Sequence, residues 1–383
     1  MTPQSSIDDA FASLLRLAPV VRGTLADPTG NEDLPFAPVL LSCHADARPV
    51  GKDARAGETL CLDSLKPFDD LAAFRARLAH ALKDFASRHK RKPARLTLAG
   101  AGAIALDNAA DPKHPQVLHN RVALVTGAAG AIGYAVCCKL LEEGACVAAT
   151  DLPGPKLNRL VADLQRLAPE RVCPAVLDVT TDAGVEEGFA AVVEKWGGVD
   201  TIVHNAGIAH VARLADLDLE AFRRLERINL DGTLLVLKAA GDLFARQATG
   251  GDIVIMSTKN VPSPSAGFGA YSATKAACHQ LGRIASLEFA PLGVRVNMVA
   301  PDAVFCEGDY KSGLWEEVGA ERMKARGLDE KGLHEYYRNR NLLKARVTGR
   351  HVANAVFFFV SRQTPTTGAT IPVDGGLPDA TPR

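Results

Sequence analysis

The chain has 383 residues, and its 44 basic and 44 acidic side chains leave no net charge at neutral pH. This balance gives no reason to expect a nucleic acid or an anionic membrane surface as a partner. The length suits two or three domains, or one large domain with an extension.

The start of the chain and its cysteines indicate a soluble protein of a reducing compartment. Met1–Pro19 carries Asp8 and Asp9 and lacks the apolar core of a signal peptide. The apolar run Val356–Val360 is too short to span a bilayer. The eight cysteines show no C-x-x-C spacing, as is typical of buried thiols. We therefore predict a cytoplasmic protein without a membrane segment.

The sequence of residues 1–115 predicts a small N-terminal α/β extension. Apolar side chains at helical spacing indicate a helix over residues 69–90, and the basic run Arg88–Lys92 at its end complements the helix dipole. The histidines of this part are scattered without the spacing of metal ligands, so no metal site is predicted. The polar stretch Asp107–Asn120 is the predicted linker.

The strongest local pattern begins at residue 121. Val122–Val125 is typical of a buried parallel strand, and the residues from Ala131 onward have helical spacing. Gly127, Gly130 and Gly133 lie at the junction. Glycine permits positive φ and the close approach of a pyrophosphate, and the helix N-terminus supplies N–H donors. This strand–turn–helix order predicts a dinucleotide-binding turn.

Strand-like and helix-like segments alternate from residue 121 to residue 373, which predicts an α/β fold with a doubly wound parallel sheet in residues 116–383. Predicted strands lie near 121–126, 146–150, 172–176, 199–204, 252–257, 294–298 and 369–373. Long helices are predicted near 218–247 and 271–290. Residues 302–346 interrupt the alternation.

Tyr271 and Lys275 stand four positions apart, so on a helix both side chains project from one face. A lysine beside a tyrosine favours the phenolate and lowers the pKa of the phenol. Such a tyrosine can exchange a proton with a substrate oxygen near neutral pH. An isolated Tyr-x-x-x-Lys pair usually lies on a solvated helix surface. Because a predicted nucleotide-binding turn occurs in the same chain, a catalytic role for the pair is favoured.

Together these motifs resemble those of the short-chain dehydrogenases/reductases over roughly residues 119–378. The family's glycine signature is matched by Thr126-Gly127-Ala128-Ala129-Gly130-Ala131-Ile132-Gly133. Asn205-Ala206-Gly207 matches the motif after the fourth strand, and Asn229 matches the asparagine of a long helix. The resemblance implies a Rossmann-type fold, a nicotinamide dinucleotide cofactor and a small alcohol or carbonyl substrate.

The resemblance also implies which residues hold the cofactor: Gly127, Ala129, Gly130, Ile132, Gly133, Asn205, Ala206, Gly207, Tyr271, Lys275 and Pro301. Asp151 ends the second strand, where a carboxylate accepts hydrogen bonds from the ribose hydroxyls and repels a 2′-phosphate. This favours NAD, with NADP as the less favoured alternative. Asp178-Val179 resembles the family's adenine contact; alternatively, Asp178 is a helix N-cap or turn residue.

For the chemistry, the resemblance implies that Tyr271 transfers the proton, Lys275 tunes it and holds the nicotinamide ribose, and Asn229 holds a water. The family's usual serine is replaced by Thr258. Ser257 is the alternative, since neighbouring residues of a strand point to opposite faces. Pro301-Asp302 stands where the family mostly has Pro-Gly.

A narrower resemblance is to the dehydrogenase half of bifunctional class II aldolase/short-chain dehydrogenase proteins of rhamnose-type sugar catabolism. It is carried by Thr258-Lys259-Asn260, Pro301–Phe305 and Glu335–Lys344. It implies a small polyol, sugar or sugar phosphate as substrate, a substrate lid at about 302–346, and a degenerate aldolase remnant in residues 1–115. The basic residues at the end of the lid, and Lys259, are either anion contacts or solvated surface.

The family resemblance further implies a homo-oligomer, a tetramer or a dimer, packed through the long helices and the last strand. Two alternative functions remain at this point: an NADPH-dependent carbonyl reductase and a non-catalytic NAD-binding scaffold. The complete set of Asn229, Thr258, Tyr271 and Lys275 argues against the scaffold.

Overall fold

The computed structural model describes residues 3–45, 59–107 and 116–378. Most of the predicted linker, residues 108–115, lies outside the described residues. The N-terminal part contains α1 (Pro3–Leu25), β1 (Leu41–His44), β2 (Thr59–Cys61), α2 (Leu71–His89), β3 (Arg95–Leu98) and β4 (Gly102–Leu106). Its strands pair in the order β1-β4-β3-β2, antiparallel except for β2 and β3.

Helix α2 confirms the helix predicted over residues 69–90. The side chain of Asp70 caps its N-terminus by accepting a hydrogen bond from the Ala73 N–H at 3.0 Å. Phe74, Leu78 and Phe85 lie on its buried face. At its C-terminus, Lys90 adopts the left-handed conformation and closes the last turn.

The rest of the chain forms a Rossmann-type α/β fold, as predicted. Its elements are β5 (Val122–Thr126), α3 (Ala131–Glu142), β6 (Cys146–Asp151), α4 (Pro155–Leu167), β7 (Val172–Val176), α5 (Asp182–Trp196), β8 (Thr201–His204), α6 (Leu219–Leu225), α7 (Gly232–Gln247), β9 (Gly251–Met256), α8 (Gly269–Glu288), β10 (Val294–Pro301), β11 (Cys306–Glu307), β12 (Tyr310–Lys311), α9 (Gly313–Arg326), α10 (Glu330–Asn339), α11 (Gly349–Val360) and β13 (Thr370–Val373).

Seven parallel strands make the central sheet in the order β13-β10-β9-β8-β5-β6-β7. All seven correspond to predicted strands; β8 begins two residues later than predicted, and β10 continues to Pro301. Every residue of β5 and β9 is buried, because helices cover both faces of the sheet. The residues between β10 and α11 form the short hairpin β11–β12 and the two helices α9 and α10.

One helix predicted over residues 218–247 is instead divided. Between α6 and α7, residues Glu226–Asp231 form a π-helical turn. The prediction of a continuous α-helix is wrong here, because apolar periodicity does not reveal a single inserted residue in the hydrogen-bond ladder. The π turn carries Asn229, whose side chain is 1% exposed. Such turns are frequent at functional sites.

Helix α1 packs into the helix layer of the central sheet. Leu17 of α1, Val192 of α5 and Phe244 of α7 belong to one apolar core, and each is at most 2% exposed. Helices α3, α4 and α11 enclose the core on the opposite face of the sheet. The described apolar residues of α1 therefore share the core of the central sheet.

A buried ion pair fixes this packing. Both terminal nitrogens of Arg22 donate to the carboxylate of Asp200, at 2.9 and 2.8 Å, and Arg22 Nε donates to the Val39 carbonyl at 2.6 Å. Asp200 also accepts a hydrogen bond from the Val122 N–H at 2.8 Å. Burial alone would raise the pKa of Asp200, but Arg22, Arg121 and the Val122 amide hold it below its ordinary value.

Among the described residues, none of the helices combines the length and the hydropathy that crossing a bilayer requires.

Candidate active site

The glycine turn joins β5 to α3 and opens onto a cleft at the C-terminal ends of the strands. Gly127 has φ +61°, and a Cβ there would lie 2.8 Å from the Ala206 Cα. A Cβ at Gly133 would lie 2.4 Å from the Gly127 carbonyl oxygen, so both positions require glycine. At Gly130 a Cβ would meet only the Gly127 carbonyl oxygen, at 3.8 Å. The turn therefore leaves room for a pyrophosphate beside the N-terminus of α3.

Asn205 ties this turn to the end of β8. Its side-chain amide donates to the carbonyls of Thr126 and Gly127, at 3.2 and 2.8 Å. In return, the Thr126 hydroxyl accepts from the Asn205 and Ala206 N–H groups, at 3.0 and 3.1 Å. Gly207 follows, where a Cβ would lie 3.1 Å from Lys275 Nζ. The Asn-Ala-Gly motif thus holds together the two strands whose ends meet at the cleft.

The two predicted adenosine contacts differ in their surroundings. Asp151, at the end of β6, accepts hydrogen bonds from the Ala129 and Leu152 N–H groups, at 2.9 and 2.8 Å. Asp178 accepts from the N–H and the hydroxyl of Thr180, at 2.9 and 2.7 Å. Asp178 is therefore the turn residue that the alternative interpretation describes, although Asp178 and Val179 also line the cleft.

Tyr271 and Lys275 lie one turn apart on α8, and both are 7% exposed. Lys275 Nζ donates to the Met256 carbonyl at 2.8 Å. Burial raises the pKa of Tyr271 to about 12, while a hydrogen bond with Thr258 acts in the opposite direction. Burial also lowers the pKa of Lys275. The expectation that Lys275 lowers the pKa of the phenol is therefore wrong for the free protein, where burial dominates.

Ser257 and Thr258 face different partners. The Ser257 hydroxyl is 3.0 Å from His279 Nδ1. The Thr258 hydroxyl shares a hydrogen bond with Tyr271 and also accepts from the Asn260 N–H at 3.3 Å. Only Thr258 therefore directs its hydroxyl at the phenol, although both residues border the cleft.

Asn229 lies behind Tyr271 and Lys275 and is fully hydrogen-bonded. Its Oδ1 accepts from the Ile208 N–H at 2.9 Å, and its Nδ2 donates to the Ile208 carbonyl and the Thr274 hydroxyl, at 3.0 and 3.1 Å. Its main-chain carbonyl accepts from the Thr233 hydroxyl at 2.6 Å. The π turn is thereby locked to the loop that follows β8.

Sequence reasoning missed His204, the last residue of β8. Its ring lies 3.1 Å from the Thr126 hydroxyl and 3.0 Å from the Thr233 hydroxyl. Burial, with Lys275 nearby, lowers the pKa of His204 to about 3, so the ring stays neutral. It joins the glycine turn to α7. Its position directly before Asn205 was the one signal in the sequence.

Residues of the predicted lid line the other end of the cleft. Two nitrogens of Arg340, at the end of α10, donate to the Asp302 carboxylate, with Nε at 3.2 Å from Oδ2. This pair gives a physical reason for Pro301-Asp302, because the aspartate anchors the lid. Two further ion pairs hold α9 across the cleft, from Lys156 to Glu316 at 2.7 Å and from Arg224 to Glu317 at 3.1 Å.

The basic residues at the end of the predicted lid, together with Lys259, separate into two groups. Arg338, Lys344 and Arg346 line an outer groove together with acidic side chains, as expected for a solvated surface. Arg340 and Lys259 instead line the main cleft, which has a volume of about 430 Å³. Pro301 borders the same cleft at the end of β10. Within residues 3–45, 59–107 and 116–378, no group of three or more His, Cys, Asp or Glu side chains is arranged to hold a metal ion.

Comparisons with known proteins agree with this geometry. The family model described as enoyl-(acyl carrier protein) reductase matches residues 127–378. A short-chain dehydrogenase/reductase of Armillaria gallica is 34% identical over 265 residues, which cover 68% of this chain and 97% of that protein. The uncharacterized oxidoreductase YuxG of Bacillus subtilis is 32% identical over 265 residues, covering 69% of this chain but 38% of that protein.

Among solved structures, sorbitol-6-phosphate 2-dehydrogenase SrlD of Erwinia amylovora superposes with a TM-score of 0.61 at 26% identity, covering 67% of this chain and 98% of that one. The family match spans well over half of the chain, and it includes the glycine turn, Asn229, Tyr271 and Lys275. The chain belongs to the short-chain dehydrogenase/reductase family of nicotinamide-dependent oxidoreductases that act on CH–OH groups.

Proposed function

We propose that the protein is an NAD-dependent dehydrogenase that interconverts an alcohol and the corresponding carbonyl compound, a secondary alcohol with a ketone or a primary alcohol with an aldehyde, on a small polyol, sugar or sugar phosphate. The observation that carries this proposal is the continuity of the cleft, which runs from the glycine turn to Tyr271, Thr258 and Lys275. A dinucleotide along the turn would bring its nicotinamide to the buried phenol. The alcohol then occupies the space beneath the lid.

The residues present fit the cofactor. The N–H groups at the start of α3 and the open side of Gly130 suit a pyrophosphate. Each Asp151 oxygen accepts one main-chain hydrogen bond and keeps a further lone pair for a ribose hydroxyl. The same carboxylate would repel a 2′-phosphate, which supports NAD over NADP. A nicotinamide held there would supply hydride transfer to and from the substrate carbon.

In the proposed mechanism, Tyr271 moves the proton. Its phenolate takes the hydroxyl proton during oxidation, and the resulting phenol returns a proton during reduction. Thr258 orients the substrate oxygen through its hydroxyl, and Lys275, whose Nζ donates to the Met256 carbonyl, would hold the nicotinamide ribose. Asn229 keeps the π turn in place behind both residues.

We expect Thr258→Ala to lower kcat about 10²-fold, because it removes a hydroxyl aimed at the reacting oxygen. Ser257→Ala is the matched control, and it should leave kcat near the wild-type value, since that hydroxyl faces His279. Steady-state kinetics with NAD would compare both variants. Thr258→Ser should recover most of the loss. If Ser257→Ala lowered kcat more than Thr258→Ala, Ser257 would be the residue that orients the substrate oxygen.

The substrate class is supported by two independent likenesses. The solved relative SrlD is named as a dehydrogenase of a phosphorylated polyol. The segments around Thr258, Pro301 and Glu335 resemble the dehydrogenase half of the bifunctional aldolase/dehydrogenase proteins. On the same basis we propose that residues 1–115 are a remnant of the aldolase part without aldolase chemistry.

The experiment that tests the function measures reduction of NAD and NADP with sorbitol, galactitol, sorbitol 6-phosphate and 1,2-diols. Turnover with NAD on a polyol or its phosphate is the expected result. A preference for NADPH with carbonyl substrates would instead identify a carbonyl reductase. Binding of NAD without turnover of any alcohol would indicate a non-catalytic scaffold.

We also propose a cytoplasmic homo-oligomer, a tetramer or a dimer. Ile284 and Leu287 leave an apolar strip exposed on α8, at 41% and 75% exposure. The eight cysteines are unpaired, as in a reducing compartment. Sedimentation of the purified protein would give the number of subunits.

A further inference from the structure

Lys259 is a buried cation beside the proposed reaction centre, and no described acidic side chain forms an ion pair with it. Lys259 directly follows Thr258, lines the main cleft and is 8% exposed. Its ammonium donates to the Ser265 hydroxyl at 2.8 Å and to the Ser263 carbonyl at 3.2 Å. In the described parts of the chain, no carboxylate forms an ion pair with it. A buried ammonium without a counter-ion is unfavourable unless a ligand supplies the missing charge.

Two guanidinium groups lie near enough to Lys259 to act on its charge. Arg340 lines the cleft, paired with Asp302. Arg322 lies behind the wall, 5% exposed, with its guanidinium 4.8 Å from the Phe268 ring centre. Burial lowers the pKa of Lys259 to about 8; Arg340 and Arg322 act in the same direction, while Asp302 and Asp374 oppose them. Three cations and two carboxylates therefore share this end of the cleft.

The wall beside Lys259 also holds an unsatisfied polar group. Asn260 is 6% exposed and lines the cleft. Within residues 3–45, 59–107 and 116–378, its side-chain oxygen has no hydrogen-bond partner. Such an acceptor suits a hydroxyl donor from a ligand, since a buried polar atom without a partner is costly. A ligand that carries an anion and a nearby hydroxyl would therefore supply a counter-ion to Lys259 and a hydrogen-bond donor to Asn260.

The ammonium and the phenol lie at the same end of the cleft. Asp302 acts electrostatically on both Tyr271 and Lys259. Phe268, Trp315 and Tyr337 line this end with aromatic rings, which exclude water and strengthen the attraction between buried charges. A short substrate with its hydroxyl at Tyr271 would extend towards Lys259.

We propose that Lys259 binds an anionic group of the substrate, a carboxylate or a phosphoryl group, on the carbon chain beyond the reacting hydroxyl. Arg340 and Arg322 supply the surrounding positive potential, and Asn260 accepts from an intervening hydroxyl. An ammonium suits either anion as a compact point charge. This inference rests on the proposed dehydrogenase function and names its substrate class as acidic polyhydroxy compounds.

The test compares kcat/KM with NAD for sorbitol, sorbitol 6-phosphate and gluconate in wild type, Lys259→Met and Lys259→Arg. Lys331→Met is the matched control, because Lys331 is exposed on α10 and lines the outer groove. Wild type should prefer one anionic compound over sorbitol by at least about tenfold, as expected for a charge-assisted hydrogen bond. Lys259→Met should abolish the preference, Lys259→Arg should keep much of it, and Lys331→Met should keep all of it.

The choice between sorbitol 6-phosphate and gluconate identifies the anion. Equal use of all three compounds, or a preference that survives in Lys259→Met, would overturn the inference and leave the dehydrogenase function standing. If no alcohol is turned over, quenching of tryptophan fluorescence by either anion reports on binding beside Trp315. Quenching that disappears in Lys259→Met would support the anion site although the function fails. Binding that does not depend on Lys259 would refute the site.

Discussion

Tyr271→Phe should lower kcat for alcohol oxidation by about 10²–10⁴-fold, because the variant loses the group that moves the proton. The ring should stay in place, since phenylalanine keeps the edge contact with Phe268, whose ring centre is 6.0 Å away. Affinity for NAD, measured by fluorescence titration, should remain near the wild-type value. Steady-state kinetics under saturating NAD would measure the loss.

The wild-type reaction should also depend on pH in a defined direction. Oxidation needs the phenolate as proton acceptor, and the pKa of Tyr271 is raised to about 12 in the free protein. Alcohol oxidation should therefore accelerate as the pH rises, and Tyr271→Phe should abolish that dependence. Tyr336→Phe is the control, since Tyr336 is 38% exposed on the outer side of the lid. More than about a tenth of wild-type turnover in Tyr271→Phe would refute the assignment.

Arg22→Met should destabilise the protein by about 3–5 kcal/mol, because it leaves the buried Asp200 carboxylate without its counter-ion. The methionine retains much of the apolar length of the arginine stem. Urea unfolding at neutral pH would measure the change in the free energy of unfolding. Adding Asp200→Asn should recover part of the loss, since the amide oxygen still accepts from the Val122 N–H.

The effect of Arg22→Met should shrink in acid. The folded-state pKa of Asp200 lies below its ordinary value of 3.8. The stabilisation is therefore complete above that pH and is lost as the pH falls through the folded-state pKa. Lys238→Met removes an exposed pair with Asp182 at 3.2 Å and should change stability by less than about 1 kcal/mol. An equally small effect of Arg22→Met would mean that the buried pair does not hold α1 in place.

Local patterns predicted most of the central fold. Alternating segments gave all seven strands of the sheet, and the glycine spacing gave the turn between β5 and α3. The four-residue spacing of Tyr271 and Lys275 correctly predicted one helix face. Each of these features depends on residues close together in sequence, where chain geometry leaves few alternatives.

Features set by distant contacts escaped prediction. Arg22 and Asp200 are separated by 178 positions, and no local sequence pattern indicates that the two side chains form an ion pair. Ser257 and Thr258 lie beyond the end of β9 at Met256, so strand alternation could not decide which hydroxyl faces Tyr271. Burial by surrounding elements raises the pKa of Tyr271, which the spacing between Tyr271 and Lys275 did not indicate. Only the three-dimensional structure shows that Arg340 lines the cleft, whereas Arg338 and Arg346 line the outer groove.

The packing of α1 against α7 carries a consequence for how this sequence can change over time. Leu17 and Phe244 share one core, and Arg246 reaches from α7 to the Arg16 carbonyl at 3.2 Å. A substitution near Phe244 or Arg246 of α7 therefore meets α1 rather than water. We expect residues 14–25 and 236–247 to vary together among descendants of this chain, so that α1 is inherited with α7 and cannot be exchanged independently.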